Sequence, residues 1–305
     1  MMKTICVLMS TYNGERYLKM QLDSIFEQDV LCPITLFVRD DGSSDNTIKI
    51  IEEYGRCNGK TVIIKKGNNL GSAQSFMELV KTAPKADYYA FCDQDDVWNK
   101  EKLRTAIDEI GSQNIPVLWC SNYTVVDSEL NNIKSQAIDT PVLNEFEALY
   151  YNNIPGCTMV FNYSLLKELR KLGAINIRMH DIVSLNIAIL TGKVLYNPNS
   201  FIKYRQHENN VVGYSHKKII FSKWIREKLR LLIDKQKYSM SDYAKEVLID
   251  YQEYLNREQS KTYKLIADTN KSWFARIKLI NKPFLKAKKG RTGISIRLNT
   301  LLGLM

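Results

Sequence analysis

The stretch FCDQDDVWNKEKL, Phe91 to Leu103, places Asp93, Asp95 and Asp96 within four residues at the end of an apolar run. A second cluster, DDGSSD, opens with Asp40 and Asp41. In a chain of formal net charge +10, such clusters are either solvated turns or sites that want a cation. If the strand entering the first cluster runs on through it, Asp93 and Asp95 point to one side and Gln94 and Asp96 to the other. Two carboxylates on one side of a strand end suit a hard divalent cation that keeps open positions for phosphate oxygens. The plain alternative is a turn in which Asp96 N-caps a helix starting near Val97. Two more candidates lie downstream. In RMHDIVSLNIAILTG, His180 and Asp181 open a helical apolar pattern, so Asp181 is equally an N-cap or a catalytic carboxylate. In KYRQHENNVVG, His207 follows Arg205, and a lone histidine has structural as well as ligand roles. Trp98 is read as an anchor for the acidic loop rather than a pocket wall.

The elements around these residues give them a common place. TICVLMS, ITLFVRD, TVIIKKG and YYAFCDQDD are short apolar or β-branched runs, each ending in a polar loop. Between them, helical spacing predicts helices over 15–28, 47–54 and 72–81. Such alternation implies an α/β fold with a mostly parallel sheet and helices on both faces, where ligands bind beyond the carboxyl ends of the strands. The loops MSTYN, RDDGSSD and CDQDD therefore converge on one sheet edge. GNNLGS, with Asn69, is backbone turn chemistry first.

Composition narrows the class. At 305 residues, 45% hydrophobic and 25% charged, the chain is long enough for one large domain with an appendage. The six cysteines show no CxxC pair or metal-ligand spacing, so they read as reduced core residues of a cytoplasmic protein. Neither the N-terminus nor any later segment supplies the roughly 18 uninterrupted apolar residues of a membrane span. Charge divides unevenly: residues 1–215 carry 22 Lys+Arg and 25 Asp+Glu, residues 216–305 carry 21 and 8. That sets a functional boundary near residue 215.

In order and spacing, MSTYNGERYLKMQLDSI, RDDGSSDNT, NNLGSAQSF, CDQDDVWNKEKL, MHD and YRQHENN resemble the family-two inverting glycosyltransferases of the GT-A fold, and DQDDVW with YRQHENNVVG resembles bacterial rhamnosyltransferases of cell-surface polysaccharide synthesis. The resemblance spans roughly residues 3–215 and implies a nucleotide-sugar donor, with a dTDP- or UDP-sugar expected. Ser10, Thr11 and Asn69 would then help hold the nucleotide, and Asp41, with Asp40 beside it, would accept the imide N–H of uracil or thymine. Asp93 would approach the ribose, and Asp95 would bind Mg2+ or Mn2+ bridging the diphosphate. Asp181 would act as general base, while Arg205 and His207 would lie near the diphosphate as phosphate and metal contacts. Many members have a Glu-Asp pair where this chain has His180 and Asp181, so His180 stands on the acceptor side.

Residues 216–305 begin HKKIIFSKWIREKLRLLIDK, an apolar face between lysines and arginines. That composition fits an interfacial amphipathic helix or a helical bundle packed on the catalytic body. A lipid-linked saccharide acceptor would lie at the anionic inner membrane surface, which favours peripheral docking there. No recognition motif accompanies the charge, so nucleic acid is not expected as a partner. Two rivals remain: a nucleotidyltransferase making a sugar nucleotide, which should carry a glycine-rich basic loop where this chain has TYNGERY, and a non-catalytic basic binding protein.

Overall fold

A computed structural model describes residues 2–173, 179–208, 210, 239–288 and 290–303. Parallel strands β1 (Ile5–Thr11), β2 (Ile34–Asp40), β3 (Thr61–Lys66) and β4 (Tyr88–Cys92) form one half of a sheet. The other half holds β5 (Val97–Trp98), β6 (Val117–Val126), β8 (Val160–Asn162) and β9 (Lys193–Arg205), with β7 (Asn132–Lys134) hanging on β6. The order is β3-β2-β1-β4-β8-β6-β9-β5. β8 runs antiparallel to both neighbours, as does β5 to β9. The chain leaves β1 toward β3 and returns on the other side to β4. That reversal opens a crevice at the carboxyl ends of β1 and β4.

The period of two along β1 explains why both sheet faces are covered. Cys6 and Leu8 enter one core with α3 (Ser72–Thr82), α5 (Glu145–Tyr151), α6 (Tyr163–Leu169) and α7 (His180–Thr191). Ile5, Val7 and Met9 enter the other with α1 (Leu18–Phe26), α2 (Thr47–Asn58) and α4 (Lys102–Ile110). The strands match the expected alternation, with two corrections at the acidic loop. β4 stops at Cys92, so the side-to-side alternation of Asp93 and Asp95 does not hold. The following helix starts at Lys102 behind Glu101, so Asp96 caps nothing.

Beyond β9 lie α8 (Met240–Asp250), α9 (Arg257–Ala267), α10 (Trp273–Ile280), α11 (Pro283–Ala287) and α12 (Gly290–Leu302). They share the first core: Tyr243, Tyr251, Tyr263, Leu279 and Phe284 are buried in it with α5 and α7. Polar bonds pin the same seam. Both Tyr243 Oη (2.5 Å) and Tyr263 Oη (3.0 Å) donate to Asn186 Oδ1, and Tyr151 Oη donates to the Phe284 carbonyl at 2.8 Å. The amphipathic pattern expected over 216–235 lies outside the described residues. No helix among the described residues is long and apolar enough to cross a membrane.

Candidate active site

The loops after β1, β2 and β4 are laced together by backbone donors. Tyr12 N donates to Gln94 Oε1 at 2.9 Å, and Gln94 Nε2 returns to the Tyr12 carbonyl at 3.0 Å. Asn13 N donates to Ser43 Oγ (2.9 Å), and its own Oδ1 accepts from Ser44 N (2.8 Å). Gly14 N donates to Thr47 Oγ1 at 2.8 Å. A Cβ on Gly14 would lie 2.2 Å from Gln94 Oε1, so a larger residue would break the Tyr12–Gln94 pairing. The expected convergence of three polar loops on one edge is therefore built by direct hydrogen bonds.

Asp40 and Asp41 serve that scaffold, which corrects the expectation that they face a nucleobase. Asp40, 1% exposed, accepts from Thr11 Oγ1 (3.0 Å), Ser43 Oγ (2.5 Å), Gly42 N (3.1 Å) and Ser43 N (2.8 Å). Thr11 is likewise buried and occupied by Asp40 rather than open to the cleft. Asp41 forms a salt bridge with buried Arg39 and accepts from Leu70 N and Gly71 N, both at 2.8 Å. Arg39 also donates to the Asn68 carbonyl (3.0 Å) and Ser75 Oγ (3.1 Å). Burial of a charged pair demands such satisfaction. Asn69 is exposed on the loop this pair holds, and Ser10 is half-buried, its Oγ donating to Ser75 Oγ at 2.7 Å.

Because β4 ends early, the acidic loop splits into two groups. Asp93 and Asp96 gather with Cys157, their ligand atoms all within 4.8 Å of one another. Asp96 is held there by Arg205 N, which donates to its Oδ1 at 3.0 Å. Asp95 turns the other way, its Oδ2 2.7 Å from His207 Nε2. The His207 ring in turn lies 4.9 Å from that of Tyr17. Arg205 does not present its guanidinium to a phosphate: it is 1% exposed, donates through Nε to the Asp95 carbonyl (2.8 Å), bonds the Ser128 carbonyl and sits 4.5 Å over the Tyr17 ring. The phosphate role expected for it is corrected to that of a bracket on the acidic loop.

Electrostatics separate the two groups. Burial, then the charges of Asp95 and Asp181, push the Asp93 carboxyl up to about 7. Burial, then Asp95 and Asp93, raises Asp96 well above the usual carboxylate range, and burial raises the Cys157 thiol likewise. A cysteine sulfur is a soft ligand, poorly matched to a hard cation that prefers oxygen. Asp95 and His207, 15% and 12% exposed at the rim, offer one carboxylate oxygen and one imidazole nitrogen. Two ligands about 2.1 Å from one ion at a right angle stand about 3 Å apart, close to the separation seen. The carboxylate and imidazole of Asp95 and His207 therefore suit Mg2+ or Mn2+ better than the set that includes the Cys157 sulfur.

Lys102 lies beneath the cluster, fully buried, and escaped notice in the sequence. Its Nζ donates to the Cys157 carbonyl at 2.6 Å and sits 3.4 Å from the centre of the Trp98 ring. Burial lowers its pKa to about 8, against the raising effect of Cys92, Cys157, Asp96 and Asp93. Trp98, 3% exposed, is the anchor expected of it, its backbone N donating to Ser24 Oγ at 3.0 Å.

Asp181 sits one residue inside α7, whose N-cap is Met179, so it is not the cap. It is 9% exposed, accepts from Ile182 N at 2.6 Å, and is close enough to Asp93 to raise that carboxyl. His180, expected on the acceptor side, packs its ring into the apolar interior. Its ring is stacked 3.9 Å from Phe76 and edge-on at 4.7 Å to Phe91, 3% exposed, with Nε2 where a Cβ on Gly156 would meet it at 2.2 Å. Burial drives its pKa down to about 3.

Known proteins place this arrangement. The family described as glycosyl transferase family 2 matches residues 6–170. The dTDP-rhamnosyl transferase RfbG of Shigella flexneri is 31% identical over 240 residues, 72% of this chain and 82% of that protein. The poly(ribitol-phosphate) β-N-acetylglucosaminyltransferase TarS of Staphylococcus aureus is 35% identical over 172 residues, 55% of this chain and 29% of the relative. Among solved structures, S. aureus TarS 1–349 with UDP-GlcNAc covers 99% of this chain and 90% of its own at TM-score 0.60 and 16% identity. The mannosyltransferase PcManGT of Pyrobaculum calidifontis, with GDP-Man and Mn2+, covers 100% and 86% at TM-score 0.50 and 15% identity. At these identities the structures speak to the GT-A fold. The chain belongs to glycosyl transferase family 2, as a GT-A enzyme that takes its sugar from a nucleotide-sugar donor.

Proposed function

We propose that the protein transfers L-rhamnose, with inversion, from dTDP-rhamnose to a saccharide acceptor carried on a lipid at the inner face of the cell membrane. The observation that carries the sugar is the likeness to a dTDP-rhamnosyl transferase along 72% of the chain. In this reading residues 1–215 are the catalytic unit and residues 216–305 serve the membrane side. Asp181 removes the proton of the acceptor hydroxyl as its oxygen attacks the anomeric carbon, and the proton it gains neutralises a carboxylate whose charge raises the pKa of Asp93. Asp95 and His207 would hold a divalent ion, which supplies charge neutralisation for the departing diphosphate. Arg205, Arg39 and Lys102 keep the loops that carry these groups in place.

A second reading, transfer of N-acetylglucosamine from UDP-GlcNAc, is favoured by the likeness to TarS. One experiment separates them: hydrolysis of a panel of dTDP-, UDP-, GDP- and CDP-sugars, with and without Mn2+. Metal-stimulated hydrolysis of dTDP-rhamnose above all others is expected. Preference for UDP-GlcNAc transfers the assignment to the second reading, and metal-independent turnover of a CDP- or GDP-sugar overturns both the donor and the metal pair.

A further inference from the structure

One helix of the C-terminal region is turned the wrong way round for a water-facing surface. In α10, Ala275 and Leu279 occupy the face buried against the body, 4% and 0% exposed. The opposite face carries Trp273, Phe274 and Ile277, which are 60%, 64% and 37% exposed. Positions 273 and 277 stand four apart and 274 and 277 three apart, so the three side chains form one patch. Scattered single hydrophobics on a surface need no explanation, but two adjacent large aromatics and an isoleucine on one helix face do.

The charge around the patch selects its occupant. From residue 269 to the end the sequence holds nine Lys and Arg and no Asp or Glu. Lys271 and Lys278 are exposed beside the patch, and Lys278 Nζ lies 4.4 Å from the centre of the Phe274 ring. Aromatic rings framed by lysines, with no acidic side chain in that part of the chain, match a surface whose outer layer is anionic and whose next layer is apolar. We propose that the α10 face formed by Trp273, Phe274 and Ile277, with Lys271 and Lys278, docks on an anionic lipid bilayer, the aromatics entering the headgroup boundary and the lysines meeting lipid phosphates. This deepens the proposed function, since it rests on the reading that the acceptor is lipid-borne, and it names the residues that would hold the enzyme at that surface.

The test is co-sedimentation of the full-length protein with vesicles of phosphatidylcholine containing about a third phosphatidylglycerol, beside vesicles of phosphatidylcholine alone. The wild-type protein should bind the anionic vesicles, the more weakly as salt rises, and Trp273→Ser with Phe274→Ser should weaken that binding about tenfold or more. Both side chains are exposed, so an unchanged thermal midpoint checks the fold of the double variant. Donor hydrolysis in solution should be unaffected by it. Equal vesicle binding by wild type and double variant, or no binding at low salt, overturns the proposal. So does a concentration-dependent dimer lost in the variant without vesicle binding, which would assign the face to a second copy of the chain. Failure of donor hydrolysis in the wild-type protein would instead sink the enzymatic reading and leave the vesicle result standing.

Discussion

His207 Nε2 stands 2.7 Å from Asp95 Oδ2, across 112 residues of sequence, and Arg205 and Tyr17, themselves in contact, back the two partners. Arg205 clamps the Asp95 carbonyl, while the Tyr17 ring backs His207. If this pair holds the divalent ion, Asp95→Asn should lower turnover of the donor by about a hundredfold or more at saturating Mn2+, because the charge that offsets the leaving diphosphate is lost. His207→Ala should shift the Mn2+ concentration for half-maximal activity upward by about tenfold and lower the maximum less. Metal titrations of donor hydrolysis for both variants distinguish a ligand pair from a hydrogen bond that merely shapes the loop, for which neither titration would move.

Asp181 predicts a different kinetic signature. A general base contributes to the chemical step and not to donor affinity, so Asp181→Asn should reduce transfer to acceptor by about a hundredfold to ten-thousandfold while leaving the KM for donor within about twofold. Donor hydrolysis by water, which needs less help from a positioned base, should fall less than transfer. An Asp181→Asn enzyme with normal transfer would return the residue to a structural part in the first turn of α7.

The Arg39–Asp41 pair holds the loop that carries Asn69, and a variant of it should reveal that. Asp41→Ala leaves the Arg39 guanidinium buried with one partner fewer, frees Leu70 N and leaves Gly71 N only Asn69 Oδ1, at a cost of about 3 kcal/mol in stability. Because Asn69 rides on the released loop, the donor KM should rise as well. A residue that only read the base would raise KM and leave the denaturation midpoint in place. Chemical denaturation and donor KM measured on the same variant decide between the two.

Much of this site could be read from sequence, and the remainder fails for identifiable reasons. The strand ends that carry MSTYN, RDDGSSD and CDQDD were legible because buried parallel strands are continuous apolar runs that stop at polar turns. The fates of individual carboxylates were not, because they depend on where a strand stops: only a β4 running on through Asp95 would have put Asp93 and Asp95 on one side. Asp41 and Arg205 carry the residue types of ligand contacts, and only their burial shows that protein groups already occupy them. Lys102 had a readable signal that charge obscured. It falls in the buried stripe of Lys102, Leu103, Ala106, Ile107 and Ile110, the spacing of a core face, within a run of charged residues that looks solvated.

His180 gives a prediction in which the direction of the pH effect is fixed. Its ring is neutral in the folded protein because burial holds its pKa near 3, and an unfolded histidine titrates near 6.5. Between these values the unfolded chain binds a proton that the folded one refuses, so stability rises with pH across the window and is lost as pH falls below about 6.5. From pH 7 to pH 5 the loss from this group alone is about 2 kcal/mol. Both ring nitrogens are also buried without a hydrogen-bond partner among the described residues, so an apolar replacement gives up no polar contact there. His180→Leu should therefore match or exceed the wild-type protein in stability at pH 7 and show a shallower fall toward pH 5. Urea denaturation of both proteins at the two pH values measures it, and an acid limb as steep in the variant as in the wild type would mean that another group carries the transition.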